Sequence, residues 1–260
     1  MDHALVSPSA TASDIRSAGH VLSAALAQGI KLAALPGAAP ATLEQAYAVQ
    51  CVIAAAAGPV GGWKVSPLRA DSAPRCSPIP RSFFREAPAA FDPDVLATCQ
   101  GELEIAVRLG ADLLPRSGEI PVDEVAAAIA TVHPAVELLS SRFAADSAAP
   151  DFHRLADLQN CAGVILGAGV AAWRDIEFAE LPLELALDGQ ALQPVQAQPS
   201  TQQTLAAIGW LAAHAHQRGL PLKAGDIIIT GARVGPVALT TTRTVMGRAG
   251  SLGHLAVSRR

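Results

Sequence analysis

Hydrophobic and polar residues alternate along a stretch near the middle of the chain, and a period of two residues predicts a β-strand. Within 101–109, Leu103, Ile105, Val107 and Leu109 occupy every second position. Successive side chains of a strand point to opposite faces, so we expect these four to face a core. Apolar runs predict further strands at 133–140, 226–231, 238–246 and 254–259, one that starts at 63–65 and one that lies within 155–167.

A period of three to four residues predicts helices elsewhere in the chain. Apolar residues recur at this spacing over 13–28, with Ser13 as the expected N-cap. Thr42 and Gln45 form a predicted capping box that opens a helix extending to about Ala57. Further helices are predicted at 121–131 and 201–218.

The order of the elements, with helices first and mostly strands afterwards, is typical of an α+β fold rather than of a regular βαβ series. We therefore predict an N-terminal helical segment at 1–60 and a strand-rich catalytic domain at 61–260. The proline-rich stretch 66–94 is predicted to be a long irregular loop over a functional site.

Composition and charge argue against several classes of partner. The chain is 50% hydrophobic, yet its longest candidate span, 161–173, is shorter than the roughly 20 residues that a bilayer requires. The net charge is −4 without a long basic run, so we expect neither a nucleic-acid nor a membrane partner. The four cysteines are widely spaced, and no apolar segment follows the acidic start. These features predict a reduced, cytoplasmic protein without a signal peptide, disulfide framework or zinc site.

Three acidic residues stand within predicted strands. Glu102 and Glu104 are two residues apart, so their side chains share a face with Cβ atoms roughly 6–7 Å apart. Carboxylates this close repel each other unless one is protonated or a cation lies between them. Glu137, from a neighbouring strand, would complete an all-oxygen site for Mg²⁺ or Mn²⁺. The spacing is also typical of a solvated acidic strand face, and by itself it leaves both interpretations open.

Eight short motifs follow one another along most of the chain. They are Ala46-Tyr-Ala-Val-Gln, Gly62-Trp-Lys-Val, Gly101-Glu-Leu-Glu-Ile-Ala, Leu109-Gly-Ala-Asp-Leu, Pro134-Ala-Val-Glu, Ala156-Asp-Leu-Gln-Asn-Cys-Ala-Gly, Val164-Ile-Leu-Gly and Gly219-Leu-Pro-Leu-Lys-Ala-Gly-Asp-Ile-Ile-Ile-Thr-Gly. In order and spacing they resemble the 2-keto-4-pentenoate hydratase family. This family is the hydratase and decarboxylase branch of the fumarylacetoacetate hydrolase superfamily.

The resemblance implies a mixed β-sheet rolled into a barrel-like core, usually in a homo-oligomer. It implies a 2-oxo or 2-hydroxy acid as substrate and a divalent metal, Mg²⁺ or Mn²⁺, held by Glu102, Glu104 and Glu137. It also implies that Lys64 is the active-site lysine, which would either exchange protons or hold the substrate carboxylate.

Three further residues are candidates for contact with the substrate. Ser66 stands where the family motif usually has a glycine. Gln159 precedes an apolar strand and Thr230 ends another, positions from which a side chain either reaches a pocket or caps the strand end. The polar residues predicted to lie at the surface are Arg142, in an ion pair, and His214 and His216.

The reaction that we favour is metal-dependent hydration of a 2-hydroxy-2,4-dienoate to a 4-hydroxy-2-oxo acid, as in the catabolism of aromatic compounds. Alternatives on the same scaffold are decarboxylation of a 2-oxo-enedioate of the 4-oxalocrotonate type and C–C hydrolysis of an acylpyruvate. A hypothesis of another class is a non-catalytic subunit that accompanies such an enzyme, although the retained glutamates and lysine argue against it. A complex with a related decarboxylase is a further expectation.

Overall fold

The chain forms helices and two mixed β-sheets in a computed structural model that describes residues 10–37, 39–68, 74–115, 118–145, 147, 149–194 and 198–260. The helices in these ranges are α1 (Ala12–Gln28), α2 (Leu43–Ala57), α3 (Pro93–Ala97), α4 (Val122–Ala128), α5 (Asp151–Ala156) and α6 (Thr201–Gln217). The strands are β1 (Val60–Val65), β2 (Cys76–Pro80), β3 (Phe84–Glu86), β4 (Ala89–Phe91), β5 (Gln100–Leu109), β6 (Ile129–Leu139), β7 (Cys161–Leu166), β8 (Leu183–Leu187), β9 (Gln190–Leu192), β10 (Ile227–Ala238), β11 (Thr244–Ala249) and β12 (His254–Arg259). Within the described ranges, no helix combines the length and the apolar character that a membrane span requires.

Backbone contacts group the chain into two units. The first comprises the described residues up to Pro59 together with Ser141–Cys161. The second comprises Val60–Ser140 and Ala162–Arg260. The division into a helical segment at 1–60 and a catalytic domain at 61–260 stays a prediction.

The first unit contains α1 and α2, and each helix begins after a threonine N-cap. Thr11, rather than the predicted Ser13, caps α1 through a reciprocal capping box with Asp14. Thr42 caps α2 as predicted, because its hydroxyl accepts a hydrogen bond from the backbone N–H of Gln45 at 3.3 Å. The Gln45 side chain, expected to complete a capping box, accepts from the backbone N–H of Ala41 at 2.8 Å. Both caps satisfy backbone donors that the first helical turn leaves without a partner.

The first unit also contains a buried ion pair between Arg142 and Asp157. The guanidinium Nε of Arg142 donates to the Asp157 carboxylate, and Nη1 donates to the backbone oxygen of Cys161 at 2.7 Å. The backbone N–H of Arg142 donates to the same carboxylate at 2.8 Å. The predicted surface position of Arg142 is therefore wrong: its charge is buried and is matched by one acid and by backbone oxygens.

The second unit contains both sheets. The larger sheet has the strand order β2-β1-β10-β5-β6-β7-β3, and the smaller has the order β4-β12-β11-β8-β9. At the centre of the larger sheet, β5 pairs antiparallel with β10 on one side and with β6 on the other. Strand β1 pairs parallel with β10, so the sheet is mixed.

Strand β5 is buried on both faces. The alternating residues Leu103, Ile105 and Val107 are buried, which confirms the predicted core face. This face packs closely, because a Cβ added to Gly247 of β11 would lie 2.9 Å from Leu103 Cδ1. The opposite face carries Glu104, which is also buried.

The predicted α+β class is confirmed, whereas the predicted barrel is not. Among the described strands, β2 and β3 end the larger sheet and β4 and β9 end the smaller, and no pairing joins these ends. The register of β10 on β5 shifts between Ile229 and Ala232 and again further along the strand. Such bulges bend a strand and increase its twist, so they curve a sheet without closing it.

The sequence predicts one long irregular loop over the proline-rich stretch 66–94, and this prediction is wrong. Its described residues include β2, which is buried throughout and pairs with β1. Proline lacks a backbone N–H and is tolerated in a sheet at an edge strand. Because β2 is the edge of the larger sheet, Pro78 and Pro80 fit there. Residues 69–73 of this stretch lie outside the described residues.

Candidate metal and substrate site

Three carboxylates converge on one face of the larger sheet. Glu102 and Glu104 extend from β5 and Glu137 extends from β6, and one carboxylate oxygen of each lies within 4.8 Å of the other two. In the β5–β6 register, Glu102 lies directly opposite Glu137. Glu104 shares their face because it is two residues further along β5. We call these three residues the carboxylate cluster.

The carboxylate cluster is shielded from water. Glu104 is 1% exposed and Glu137 is 0% exposed, while Glu102 is partly exposed. A solvated acidic strand face would leave these oxygens in bulk water. The burial therefore excludes that interpretation and leaves a cluster whose negative charge needs a partner.

Burial is the largest cause of the raised pKa values in the cluster. It raises the pKa of Glu102 to about 7, with a further increase from the Glu137 carboxylate and an opposing effect of Lys64. The pKa of Glu104 is raised well above its usual range, again chiefly by burial and then by Glu137 and Glu102. Without a bound metal ion, at least one carboxyl group of the cluster therefore holds a proton at neutral pH.

Gly231 of β10 positions the Glu104 carboxylate. Its backbone N–H donates to Glu104 Oε2 at 2.6 Å. Gly231 has a φ of +95°, and an added Cβ would lie 2.7 Å from Pro67 Cδ. Both the backbone conformation and the close approach require glycine at this position.

Lys64 of β1 places a cation against the cluster. Its Nζ donates to Glu137 Oε1 at 2.7 Å and to Oε2 at 2.8 Å, and its side chain is 13% exposed. Strands β10 and β5 separate β1 from β6. At about 4.8 Å per strand, a flat sheet would hold β1 and β6 roughly 14 Å apart. The direct contact indicates that the sheet curves around this face, in agreement with the bulges of β10.

The donor set fits a hard divalent cation. Three ionised carboxylates carry more negative charge than Lys64 balances, and oxygen is the ligand that Mg²⁺ and Mn²⁺ prefer. A divalent ion would also reverse the raised pKa values, because it favours the charged form of each carboxyl group. Glu102, Glu104 and Glu137 are thus the residues able to hold a metal here.

The three predicted substrate contacts lie in different settings. Thr230 of β10 is buried, and its hydroxyl donates to the backbone oxygen of Ile105 at 2.7 Å. Ser66 follows β1, and its hydroxyl accepts a hydrogen bond from the Arg75 N–H at 2.9 Å. Gln159 belongs to the first unit, where its φ is +49°. Thr230 and Ser66 share the second unit with the cluster, and the role of all three residues in substrate binding stays a prediction.

Arg233 is a buried charged residue that no sequence pattern identifies as part of the site. The apolar pattern ends its strand at Gly231, whereas β10 continues to Ala238. Arg233 lines a cleft of about 760 Å³ together with Gly235. A Cβ added to Gly235 would lie 3.4 Å from Glu102 Cγ, so this part of β10 borders the carboxylate cluster. The sequence feature that could have identified Arg233 is its position two residues after Gly231, between Ala232 and Val234.

His214 is not the surface residue that the sequence predicts. Its ring stacks on Trp210 with a centroid separation of 4.9 Å. Burial, followed by the charge of Arg218, lowers the pKa of His214 to about 4. His216 is exposed, as predicted.

Comparison with known proteins places the chain in a family. A family model described as fumarylacetoacetate (FAA) hydrolase C-terminal matches residues 54–257, a range that includes Lys64 and the carboxylate cluster. The chain belongs to the fumarylacetoacetate hydrolase family. The resemblance drawn from the sequence motifs is thereby confirmed.

Two curated relatives in the fumarylacetoacetate hydrolase family have different names. A 2-keto-4-pentenoate hydratase from Burkholderia vietnamiensis (strain G4 / LMG 22486) is 31% identical over 59% of this chain and 58% of the relative. A 4-oxalocrotonate decarboxylase from Pseudomonas sp is 30% identical over 60% of this chain and 59% of the relative. The matched part therefore spans less than two thirds of each relative.

A solved structure shares the fold over nearly its whole length. The 4-oxalocrotonate decarboxylase from Pseudomonas putida G7, complexed with magnesium and adipate, has a TM-score of 0.79 at 20% identity. The alignment covers 97% of this chain and 99% of that chain. Because the identity is low, this likeness establishes the common fold of the fumarylacetoacetate hydrolase family and nothing finer.

Proposed function

We propose that this member of the fumarylacetoacetate hydrolase family is a divalent-metal-dependent hydratase. It would add water to a 2-hydroxy-2,4-dienoate to give a 4-hydroxy-2-oxo acid in the catabolism of aromatic compounds, as a homo-oligomer. The observation that carries the proposal is the buried carboxylate cluster with Lys64 bonded to Glu137. The relative named as a hydratase supports this class of reaction.

In this proposal, Glu102, Glu104 and Glu137 hold Mg²⁺ or Mn²⁺. Solved relatives complexed with magnesium, with calcium and with Mn²⁺ support a divalent ion as the cofactor. When bound, the ion would supply Lewis acidity that stabilises negative charge on the 2-oxygen of the substrate.

Hydration requires several proton transfers, and in this proposal Lys64 Nζ exchanges these protons. A proton leaves the 2-hydroxyl group and one is added at C5, which converts the dienol into a conjugated 2-oxo-3-enoate. The oxygen of a water molecule then bonds to C4, that water loses one proton, and one proton is added at C3, so that the elements of one water are gained. The two hydrogen bonds to Glu137 fix the position of Nζ, and a positioned group that both accepts and donates a proton is what this chemistry needs.

Decarboxylation of a 2-oxo-enedioate is the second candidate. It would use the same stabilisation of charge on the 2-oxygen, and the buried cation of Arg233 beside the cluster favours a substrate with another carboxylate. Hydrolysis of a C–C bond would need a histidine available to activate water. His133 of β6 does not suit that role, because its ring nitrogens bond to the Thr131 hydroxyl at 2.8 Å and to the Gly167 oxygen at 2.9 Å.

An absorbance assay tests the proposed reaction. Freshly prepared 2-hydroxy-2,4-dienoates, with one or two carboxylates, are added to the protein with Mg²⁺ or Mn²⁺. Loss of dienol absorbance without release of carbon dioxide is expected, and gas evolution would identify the decarboxylase instead. Glu104→Gln is expected to abolish turnover, whereas Glu180→Gln, the same change at an exposed acid, leaves it unchanged. Turnover of Glu104→Gln at the wild-type rate, or no loss of any dienol, would contradict the proposal.

A further inference from the structure

Arg233 is buried among neutral partners. It is 3% exposed, and its Nη2 donates to the hydroxyl oxygens of Thr204 and Thr230, each at 3.2 Å. Its Nη1 makes a long contact of 3.5 Å with the backbone oxygen of Pro199. Among the described residues, no acceptor bonds to Nε and no carboxylate forms an ion pair with the guanidinium.

A guanidinium in this setting keeps its charge. Burial lowers the pKa of Arg233 to about 10, and the nearby charge of Glu104 opposes that change. The group is therefore a cation at neutral pH, and burying a cation among neutral partners is unfavourable. Its three hydrogen-bonding nitrogens form a planar fork that matches the two oxygens of a carboxylate.

The cleft and the carboxylate cluster are adjacent along β10. Gly231 bonds to Glu104, Arg233 follows two residues later, and Gly235 lies against Glu102. Arg233 and Gly235 both line the cleft of about 760 Å³, which Gln198 and Gln203 also line. A ligand that starts at the cluster and extends along this strand therefore meets the guanidinium of Arg233.

We propose that Arg233 binds the far carboxylate of a dicarboxylic substrate whose 2-oxo acid end lies at the carboxylate cluster. This inference rests on the proposed function and specifies its substrate class, because it makes the proposed 2-hydroxy-2,4-dienoate a dicarboxylic acid rather than a monocarboxylic one. The carboxylate next to the 2-oxo group belongs to the end of the substrate that the metal and Lys64 would bind. A second carboxylate at the other end is the ligand that a forked cation in the cleft recognises through paired hydrogen bonds.

Calorimetric titration with two ligands of equal length tests the inference. In 2-oxoadipate the chain ends in a carboxylate, and in 2-oxohexanoate it ends in a methyl group. With Mg²⁺ in excess, the wild-type protein is expected to bind 2-oxoadipate at least about tenfold more tightly. Arg233→Met is expected to weaken 2-oxoadipate binding about 10- to 100-fold and to leave 2-oxohexanoate binding unchanged. Arg248→Met, at an exposed arginine paired with Glu184, is the matched control and should behave as the wild type.

The outcomes separate this inference from the proposed function. Equal affinity of the wild type for the two ligands, or an equal loss of both in Arg233→Met, would overturn the role of Arg233 while Mg²⁺-dependent binding upholds the metal site. Failure of both ligands to bind in the presence of Mg²⁺ would overturn the proposed function and the inference together. The comparison of 2-oxoadipate with 2-oxohexanoate on the wild-type protein needs no variant. The inference can therefore be overturned even if Arg233→Met does not fold. Arg233→Lys, which keeps the charge without the fork, should retain an intermediate preference.

Discussion

Two buried groups of charges, one in each unit, differ in how their charges balance. The Arg142–Asp157 pair sets one cation against one anion, and backbone groups complete its hydrogen bonds. The carboxylate cluster sets three acids against Lys64. Burial raises the pKa of Asp157 as well as those of Glu102 and Glu104, so the balance of charge, and not the pKa, separates the two groups. Both groups are buried, so burial alone does not distinguish a structural charge from a functional one.

The difference lies in what each group needs in order to be stable. A matched pair whose charged groups both have hydrogen-bond partners is complete within the protein, and removing one partner leaves the other charge uncompensated. An unbalanced cluster becomes stable only when protons or a bound cation neutralise it. We therefore interpret the pair as structural and the cluster as a binding site.

The largest expected effect separates Lys64 from the metal ligands. Lys64→Met should lower kcat about 10²- to 10⁴-fold, because the protein loses the group that exchanges protons. Mn²⁺ affinity, measured by electron paramagnetic resonance, should change little, since the carboxylate cluster remains. Lys223→Met, at an exposed lysine paired with Asp112, is the control and should keep full activity. An unchanged kcat in Lys64→Met would remove Lys64 from the mechanism.

The structural pair is tested by stability rather than by activity. Arg142→Met should lower the free energy of unfolding by about 3–5 kcal/mol, because it leaves the Asp157 carboxylate buried without its cation. Urea unfolding followed by far-ultraviolet circular dichroism, to which the helices of the first unit contribute, measures this loss. Arg248→Met, at an exposed pair, should cost less than about 1 kcal/mol. A cost for Arg142→Met as small as that of the exposed control would show that the pair is not the stabilising element described here.

A smaller effect is expected from the glycine that holds Glu104. Gly231→Ala strains a residue at positive φ and pushes its Cβ towards Pro67, so the N–H that bonds Glu104 must move. Loss of a group that orients a ligand typically weakens metal binding about 10- to 100-fold. Gly253→Ala is a close control, because Gly253 also has a φ of +95° but an added Cβ there meets nothing within 4 Å. If both variants bind Mn²⁺ like the wild type, the positioning role of Gly231 is wrong.

The smallest expected effect is a pH dependence of the metal-free protein. Between the ordinary pKa of 4.5 and about 7, the folded state keeps a proton on Glu102 that the unfolded state releases. The free energy of unfolding should therefore rise as pH falls through this window. Partial exposure and coupling to the other acids limit the contribution of Glu102 to about 1 kcal/mol.

Comparison of variants isolates this contribution from other titrating groups. With a chelator present, Glu102→Gln should lose that part of the rise in stability, while Glu180→Gln should follow the wild type. His214 acts in the opposite direction, because its lowered pKa makes stability fall as pH drops below 6.5. A profile of Glu102→Gln identical to that of the wild type would show that Glu102 is already ionised in the folded, metal-free protein.

The sequence predicts only those parts of the site that depend on local period. Glu102 and Glu104 share a face because a strand has a period of two, and the alternation of Leu103, Ile105 and Val107 identifies that strand. The approach of Glu137 depends on the register of two strands, which no local pattern fixes. Glu137 was a candidate because it stands in another predicted strand, and the motif resemblance supplied Lys64 and the metal-binding role of all three glutamates.

Local sequence patterns do not predict the features that depend on the curvature and the edges of the sheet. The contact of Lys64 with Glu137 needs a sheet bent by the bulges of β10, which the sequence pattern does not show. Arg233 was missed because the pattern ends β10 at the glycine after Thr230. The edge position of β2, which permits its prolines, follows from strand order rather than from the proline-rich sequence itself.

Metal binding by the wild-type protein and two matched variants tests the central claim most directly. Titration of the metal-free protein with Mn²⁺, followed calorimetrically, is expected to show one ion bound per chain. Glu104→Gln should weaken this binding by at least about tenfold, because it removes a charged ligand from a buried site, whereas Glu180→Gln should not change it. Binding of Mn²⁺ by Glu104→Gln as tightly as by the wild type, or no binding by the wild type, would contradict the account.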